Sequence, residues 1–153
     1  MSIEKVKAFF RAHGMEDRVR ELEASSATVE LAAAALGCAP CRIAKTLSFM
    51  VDGAPVLIVA AGDARIDNPK FKAQFGIKAR MLSAEKVEPL IGHAIGGVCP
   101  FGINPGIPVY LDESLRAFDI VYPAAGNSAS GVRLTVDELE RASEAVGWVN
   151  VCK

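Results

Sequence analysis

Long membrane-compatible runs, an excess of charge of either sign and aromatic residues are all scarce in this chain. Aromatics make up 7% of its 153 residues, with one Trp, and histidine occurs only at His13 and His93. Lys and Arg number 17 against 18 Asp and Glu, a formal charge of −1. A protein that wraps duplex nucleic acid through its phosphates carries a strong basic excess. Any nucleic-acid contact made by this chain is therefore local and small. The one long stretch without formal charge, Pro89 to Leu111, holds five glycines and four prolines. A membrane-crossing helix needs about 20 mostly apolar residues that remain helical, so the stretch reads instead as a short strand followed by an elaborate loop.

Other absences narrow the chemistry. There is no Walker-type phosphate loop, no G-x-G-x-x-G after a strand and no G-x-S-x-G elbow, which leaves nucleotide-cofactor and Ser-His-Asp chemistry without support. No cofactor is expected. Glu4, Lys5, Lys7, Arg11, Glu16 and Asp17 crowd the start of the chain, so no secretory apolar segment precedes Cys38, Cys41, Cys99 and Cys152. The expected compartment is the cytoplasm, where thiols stay reduced.

What is present is an ordinary globular composition, 51% apolar and 23% charged, long enough to bury a core without metals or disulfides. No repeat or linker divides it, and residues 1–153 read as one domain. Ile3, Val6, Phe9 and Phe10 recur at helical spacing before Gly14. Arg18 to Glu23 reads as a short edge strand. A helix starts at the N-cap Thr28 and runs through Val29–Leu36 to Gly37. Thr46–Val51 alternates, Asp52-Gly53 supplies a turn, and Val56–Val59 returns as a hairpin. Asp67-Asn68-Pro69 opens a helix that ends by Gly76. Ile77–Leu82 reads as a strand, and Ser83 opens a helix to about Ile91, closed by Gly92. Pro108–Leu111, Asp119–Ala124, Val132–Leu134 and Trp148–Val151 read as further strands. A capping box at Thr135–Glu138 opens a last helix to about Val146. The mixed order of elements favours a mixed sheet with helices packed on it.

Few residues carry candidate chemistry. Cys38-Ala-Pro-Cys41 has the spacing of a zinc or redox pair, but a structural zinc site needs four ligands and no second Cys/His pair lies close. The pair also follows the C-terminal pole of a helix, where the dipole does not favour a thiolate. Incidental cysteines are the better reading, and no metal is expected. His93 stands beside the glycine-rich loop and can line a pocket, although a lone histidine is more often structural. Lys45 shares a strand face with Leu47, Phe49 and Val51; such a lysine either snorkels outward or meets an anion in a cleft. Gly96-Gly-Val-Cys-Pro-Phe-Gly102 and Ala124-Ala-Gly-Asn-Ser128 are small-residue loops able to offer bare N–H groups to a ligand. Together they suggest a cleft with one fixed cation and backbone donors but no nucleophile.

Ile43-Ala-Lys-Thr-Leu47, Ile95-Gly-Gly-Val-Cys-Pro-Phe-Gly102 and Val121-Tyr-Pro-Ala-Ala-Gly126, in this order and spacing, resemble the YbaK/prolyl-tRNA-synthetase-associated domain family. That family comprises free-standing aminoacyl-tRNA deacylases and the editing domain inserted in bacterial prolyl-tRNA synthetases. The resemblance runs from the Thr28 helix to the final helix. It implies a compact α/β domain around a mixed, partly curved sheet, and hydrolysis of the ester that links a wrong amino acid to tRNA. It puts the family's lysine on Lys45 and its glycine loop on Gly96, Gly97 and Pro100. The substrate contacts it implies are Thr46, Val98, Pro100, Phe101, Gly102, Ala124, Gly126 and Asn127, with His93 beside them. Some deacylases carry serine at the position of Ala124, and serine or proline at that of Cys99, which argues against Cys99 as a nucleophile.

The implied substrate is tRNA(Pro) carrying a small amino acid such as Ala or Cys, with the acceptor end of the tRNA and prolyl-tRNA synthetase as partners and no membrane. Either a monomer or a homodimer is compatible with the sequence. Arg65, Lys70, Lys72, Lys78, Arg80 and Lys86, against Asp67 and Glu85, form a local basic surplus able to touch an acceptor stem, or an ordinary solvated face. The competing reading is a binding module of the same fold that recognises aminoacyl-tRNA or a small ligand without hydrolysing it.

Overall fold

In the computed structural model, which describes residues 2–153, the chain alternates short helices with a six-stranded sheet. Helix α1 (Ser2–Ala12) buries Ile3, Val6 and Phe10 and gives way to β1 (Val19–Glu21) through a short 3-10 turn. Helix α2 (Val29–Leu36) begins where the Thr28 side chain accepts from Leu31 N and ends at Gly37 in the left-handed conformation. Strands β2 (Ile43–Val51) and β3 (Ala54–Ala61) form the expected hairpin, extended at its open end by several residues. Its turn residues Asp52 and Gly53 both have positive φ, at 50° and 79°, the geometry that a two-residue hairpin turn requires.

Helix α3 (Asn68–Phe75) is capped by Asp67, whose side chain accepts from Lys70 N. Helix α4 (Ala84–Ile91) precedes a long loop to β4 (Val109–Asp112). Strands β5 (Ile120–Pro123), β6 (Ser130–Val132) and β7 (Leu134–Thr135) follow. Helix α5 (Val136–Ser143) carries the full Thr135–Glu138 capping box, and β8 (Gly147–Val149) closes the order.

The sheet runs β7-β5-β2-β3-β4-β8, with a separate antiparallel pair of β1 and β6. It is mixed: β2–β3 and β5–β7 are antiparallel, whereas β2–β5, β3–β4 and β4–β8 are parallel. Strand β3 lies centrally, and each residue from Val56 to Ala61 is at most 6% exposed. A strand covered on both faces reads as a continuous apolar run rather than an alternating one. The expected mixed α/β fold is the one observed.

Four local expectations are corrected. Ile77–Leu82 is not a strand: only Arg80 to Leu82 meet β2, through the Met81–Phe49 bridge, with Met50 N donating to Arg80 O and Leu82 N donating to Ser48 O. The uncharged stretch from Pro89 opens with the last turn of α4, as the helix expected from Ser83 to Ile91 requires, and not with a short strand. The run 132–134 divides at Arg133, whose N–H donates to Arg18 O, so β6 and β7 belong to different sheets. The last helix stops at Ser143, where Glu144 turns left-handed at φ 53°. Among the described residues no helix is long and apolar enough to cross a membrane.

Candidate active site

The site originates in a gap along β2. One edge of this strand pairs with β3 from Ala44 to Val51. The other edge is covered in two places only. Ile43 and Ala44 pair with Tyr122 and Pro123 of β5. Further along, Met50 N donates to Arg80 O at 2.8 Å, and Leu82 N donates to Ser48 O at 3.1 Å. Successive residues of a strand direct their N–H and C=O groups to alternate edges. Thr46 therefore presents its main-chain groups to the same edge as Ser48 and Met50, at the point where no strand lies beside it.

A cavity of about 340 Å³ opens over this gap. Thr28, Val29, Ala32 and Leu36 of α2 form one wall, and Tyr122, Pro123 and Ala124 close the β5 side. Met81, Leu82 and Val87 face them, and Ile95, Gly96 and Val98 of the glycine loop complete the enclosure. The walls are largely apolar. Lys45 supplies the one charged side chain among the described lining residues, and the Thr46 hydroxyl is enclosed with no hydrogen-bond partner.

The Lys45 ammonium donates to Gly62 O at 3.2 Å and to Ala64 O. An ammonium has three donors, so these two carbonyls hold it in place and leave one for a ligand. Burial lowers its pKa from the ordinary lysine value, while Cys152 and Asp63 act in the opposite direction.

The glycine loop contributes backbone. Gly96 has φ 91°, a conformation that side chains disfavour. Gly97 is required for space: a Cβ on it would lie 2.4 Å from N and Cα of Asn127. The loop thus presses directly on the 124–128 turn. That turn is fixed in place by Ser130, whose hydroxyl accepts from Ala125 N and donates to Asn127 O, each at 3.1 Å. Ser130 N donates in turn to the Ser26 hydroxyl at 2.9 Å. Gly97 N donates to Ala94 O at 3.0 Å, so it is not free to act on a ligand. The N–H groups of Gly96 and Val98, both in the cavity wall, have no acceptor among the described residues.

Of the residues singled out in the sequence, Lys45, Thr46, Gly96, Val98 and Ala124 meet around this cavity. Gly97 and Asn127 pack behind it, and Gly126 occupies the same turn at φ 102°. The others lie elsewhere. Pro100 and Gly102 line a second cavity beside Phe9 and Asn104. Phe101 is 0% exposed and packs its ring on Phe10, with centroids 4.8 Å apart. His93 is also fully buried, and its Nε2 donates to Phe101 O at 2.6 Å. The Cys99 thiol lies 3.6 Å from that nitrogen, and burial pushes it up to about 12. His93 and Phe101 thus clasp the two ends of the loop from inside and do not reach the cavity. Ser26, Val29, Met81, Tyr122 and Ser130 are lining residues that the sequence reading missed. They are ordinary in type and scattered over a hundred positions, and only the place of Tyr122 within the Val121–Gly126 motif offered a cue.

Of the basic run, Lys70 is committed to the C-terminal segment, donating to Cys152 O at 2.9 Å. Arg65, Lys72, Lys78, Arg80 and Lys86 are exposed. Cys38 and Cys41 are half-buried free thiols beyond the end of α2, and burial raises the pKa of Cys38. No group of three or more His, Cys, Asp or Glu able to hold a metal occurs among the described residues.

Residues 23–142 match the family model described as "Aminoacyl-tRNA editing domain". The chain belongs to the aminoacyl-tRNA editing domain family. This editing-domain chain is 51% identical over 154 residues to an uncharacterised protein of Bacillus subtilis strain 168, YwhH, covering 100% of this chain and 98% of that one. It is 28% identical over 136 residues to the proline–tRNA ligase of Streptococcus equi subsp. equi, covering 88% of this chain but 22% of the ligase. It therefore spans only a small part of that relative. A solved structure named as a candidate trans-editing enzyme for prolyl-tRNA synthetase superposes with a TM-score of 0.88 at 33% identity, covering 99% of this chain and 97% of that one. The resemblance drawn from the three motifs is thus borne out for family and fold.

Proposed function

We propose that this editing-domain protein is a trans-acting deacylase that hydrolyses the ester of mischarged tRNA, with tRNA(Pro) carrying Ala or Cys as its substrate. The observation that carries this reading is that one largely apolar cavity is lined by Lys45, the one charged residue there, and by Gly96 and Val98, whose N–H groups have no acceptor among the described residues. An aminoacyl ester is already an activated acyl group, so the protein has to orient it, admit one water and stabilise the oxyanion. In this mechanism the Gly96 and Val98 N–H groups receive the negative charge that develops on the carbonyl oxygen. The third donor of Lys45 binds a phosphate or ester oxygen of the terminal nucleotide. Among the described lining residues there is no carboxylate, imidazole or thiol, and Lys45 and Tyr122 are the titratable side chains. The proton of the attacking water is accordingly assigned to the vicinal hydroxyl of the terminal ribose, which returns it to the departing oxygen. Apart from Lys45 the wall carries no charged side chain among the described residues and is largely apolar, which suits a small, neutral amino-acid side chain.

The test is a deacylation panel with Ala-, Cys-, Ser-, Thr- and Pro-tRNA, with and without prolyl-tRNA synthetase. Turnover of Ala- or Cys-tRNA(Pro) with Pro-tRNA(Pro) spared is the expected result. Binding of these tRNAs without turnover of any ester overturns the proposal in favour of a binding module.

A further inference from the structure

We propose that Met81 and Ile95 form an apolar clamp at the mouth of the cavity that holds the terminal adenine base of the tRNA, an assignment that rests on the deacylase reading. Both side chains line the cavity, yet they are 57% and 59% exposed. Only two other large apolar side chains among the described residues, Leu31 and Val146, are exposed to a comparable degree. Single exposed apolar residues need no explanation, but these two line one cavity, and exposed apolar surface at a cavity marks a binding site.

The two jaws come from separate parts of the chain, and each has a fixed backbone. Met81 lies between Arg80 and Leu82, both hydrogen-bonded to β2, and itself bridges to Phe49. Ile95 lies inside the turn closed by Gly97 N and Ala94 O, which packs on Asn127. A rigid backbone that carries solvated apolar side chains is preorganised, so little ordering entropy opposes a ligand that covers them.

The chemistry of the substrate selects the occupant. With the ester carbonyl at Gly96 and Val98, the part that emerges from the cavity is a ribose, its base and then phosphates. The base is the one flat, weakly polar surface among these. A thioether and an aliphatic side chain both pack well on such a π-face. Charge near Met81 in the chain fits the same orientation: Arg80 adjoins it, and Lys78 and Lys86 are close in sequence, all three exposed and in no ion pair among the described residues, although Glu85 shares α4 with Lys86. Phosphates beyond the base therefore meet cations, whereas the cavity itself offers the base no charged competitor except Lys45.

The experiment uses the whole protein and two probes, AMP and ribose 5-phosphate, which differ by the base alone. Each is titrated by calorimetry against the wild type, Met81→Ser, Ile95→Ser and the double variant. The wild type should bind AMP at least about tenfold more tightly than ribose 5-phosphate, and the double variant should lose that preference, with each single change giving part of the loss. Melting temperatures should stay within about 2 °C of wild type, because neither side chain is buried. In parallel, the substrate concentration for half-maximal single-turnover deacylation should rise about tenfold in the double variant. Equal affinity of the wild type for the two probes, or a preference that survives the double substitution, overturns the clamp. A base preference in a protein that hydrolyses no aminoacyl-tRNA instead overturns the deacylase reading and leaves the clamp as a nucleotide-binding feature. The two failures are thus distinguishable.

Discussion

Replacing Gly97 by Ala puts one methyl group where the loop meets the 124–128 turn. The built Cβ lies 2.4 Å from N and Cα of Asn127 and 2.6 Å from its carbonyl carbon, whereas ordinary contact starts at 3.4 Å. Because the obstacle is backbone, no side-chain rotation relieves it, and loop and turn must separate by about 1 Å, the difference between 3.4 and 2.4 Å. A displacement of about 1 Å at a reacting centre costs roughly 10²-fold in rate. Overpacking of this kind destabilises by about 1–3 kcal/mol, or about 2–4 °C of melting temperature per kcal/mol in a chain of this size.

Gly96 and Val98 flank the displaced residue, so their free N–H groups move with it. Single-turnover deacylation of Ala-tRNA(Pro) beside a thermal melt measures both effects. Gly106→Ala is the control: at φ 85° with nothing within 4 Å, it strains the same long loop away from the cavity, and it should lower the melting temperature while sparing the rate. A folded Gly97→Ala protein with a rate within about threefold of wild type refutes the assignment of oxyanion donors to this loop, as does a rate loss matched by Gly106→Ala.

Three further outcomes follow from the same geometry. Lys45→Met keeps the alkyl chain and removes the ammonium, so deacylation should fall by about 10²-fold or more, with a small drop in melting temperature as Gly62 O and Ala64 O lose their donor; wild-type turnover by the folded variant excludes a role for the cation. Glu138, hydrogen-bonded by Arg18 at 2.7 Å, is held well below the ordinary carboxylate value, at about 2. A depressed folded-state value contributes stability above the unfolded value of about 4.3 that is lost as pH falls toward 2; Glu138→Gln should therefore melt lower than wild type near neutral pH, the gap narrowing by about pH 3, and a gap that widens in acid contradicts the assignment. Finally, Cys99 and Cys152 are buried with thiols raised to about 12, so iodoacetamide should spare both in the native protein, and neither Cys38→Ser/Cys41→Ser nor EDTA should alter deacylation; loss of activity with chelator, or stoichiometric zinc, restores a metal reading.

The site occupies the stretch of one β2 edge, at Thr46, that has no backbone partner among the described residues. An open edge is ordinarily a liability, because its unpaired N–H and C=O groups invite another strand. Here β5 and the 80–82 segment cover either side, and the glycine loop and α2 roof the remaining opening. What remains is large enough for an ester and too short for a strand.

The sequence alone determined features whose cause lies within a few residues and has a side-chain signature. Thr28 with Gly37, Asp67 with Gly76, and the Thr135–Glu138 box mark helix ends, because a cap is a hydrogen bond between a side chain and the next turn. Asp52-Gly53 marks the hairpin because only such residues accept two positive φ angles at low cost. The family motifs likewise located Lys45, Gly96 and Ala124. Tertiary structure decided the rest, because strand pairing and burial join residues far apart in the chain and leave no local trace. Whether Ile77–Leu82 forms a strand depended on how many of its residues meet the β2 edge, and only Arg80 to Leu82 do. Whether His93 reached a ligand depended on where Phe101 O lay, and even the local turn that commits Gly97 N to Ala94 O is a backbone bond without a side-chain signature. A one-residue difference in the direction of a backbone group separates Gly96 from Gly97, and composition carries no record of that direction.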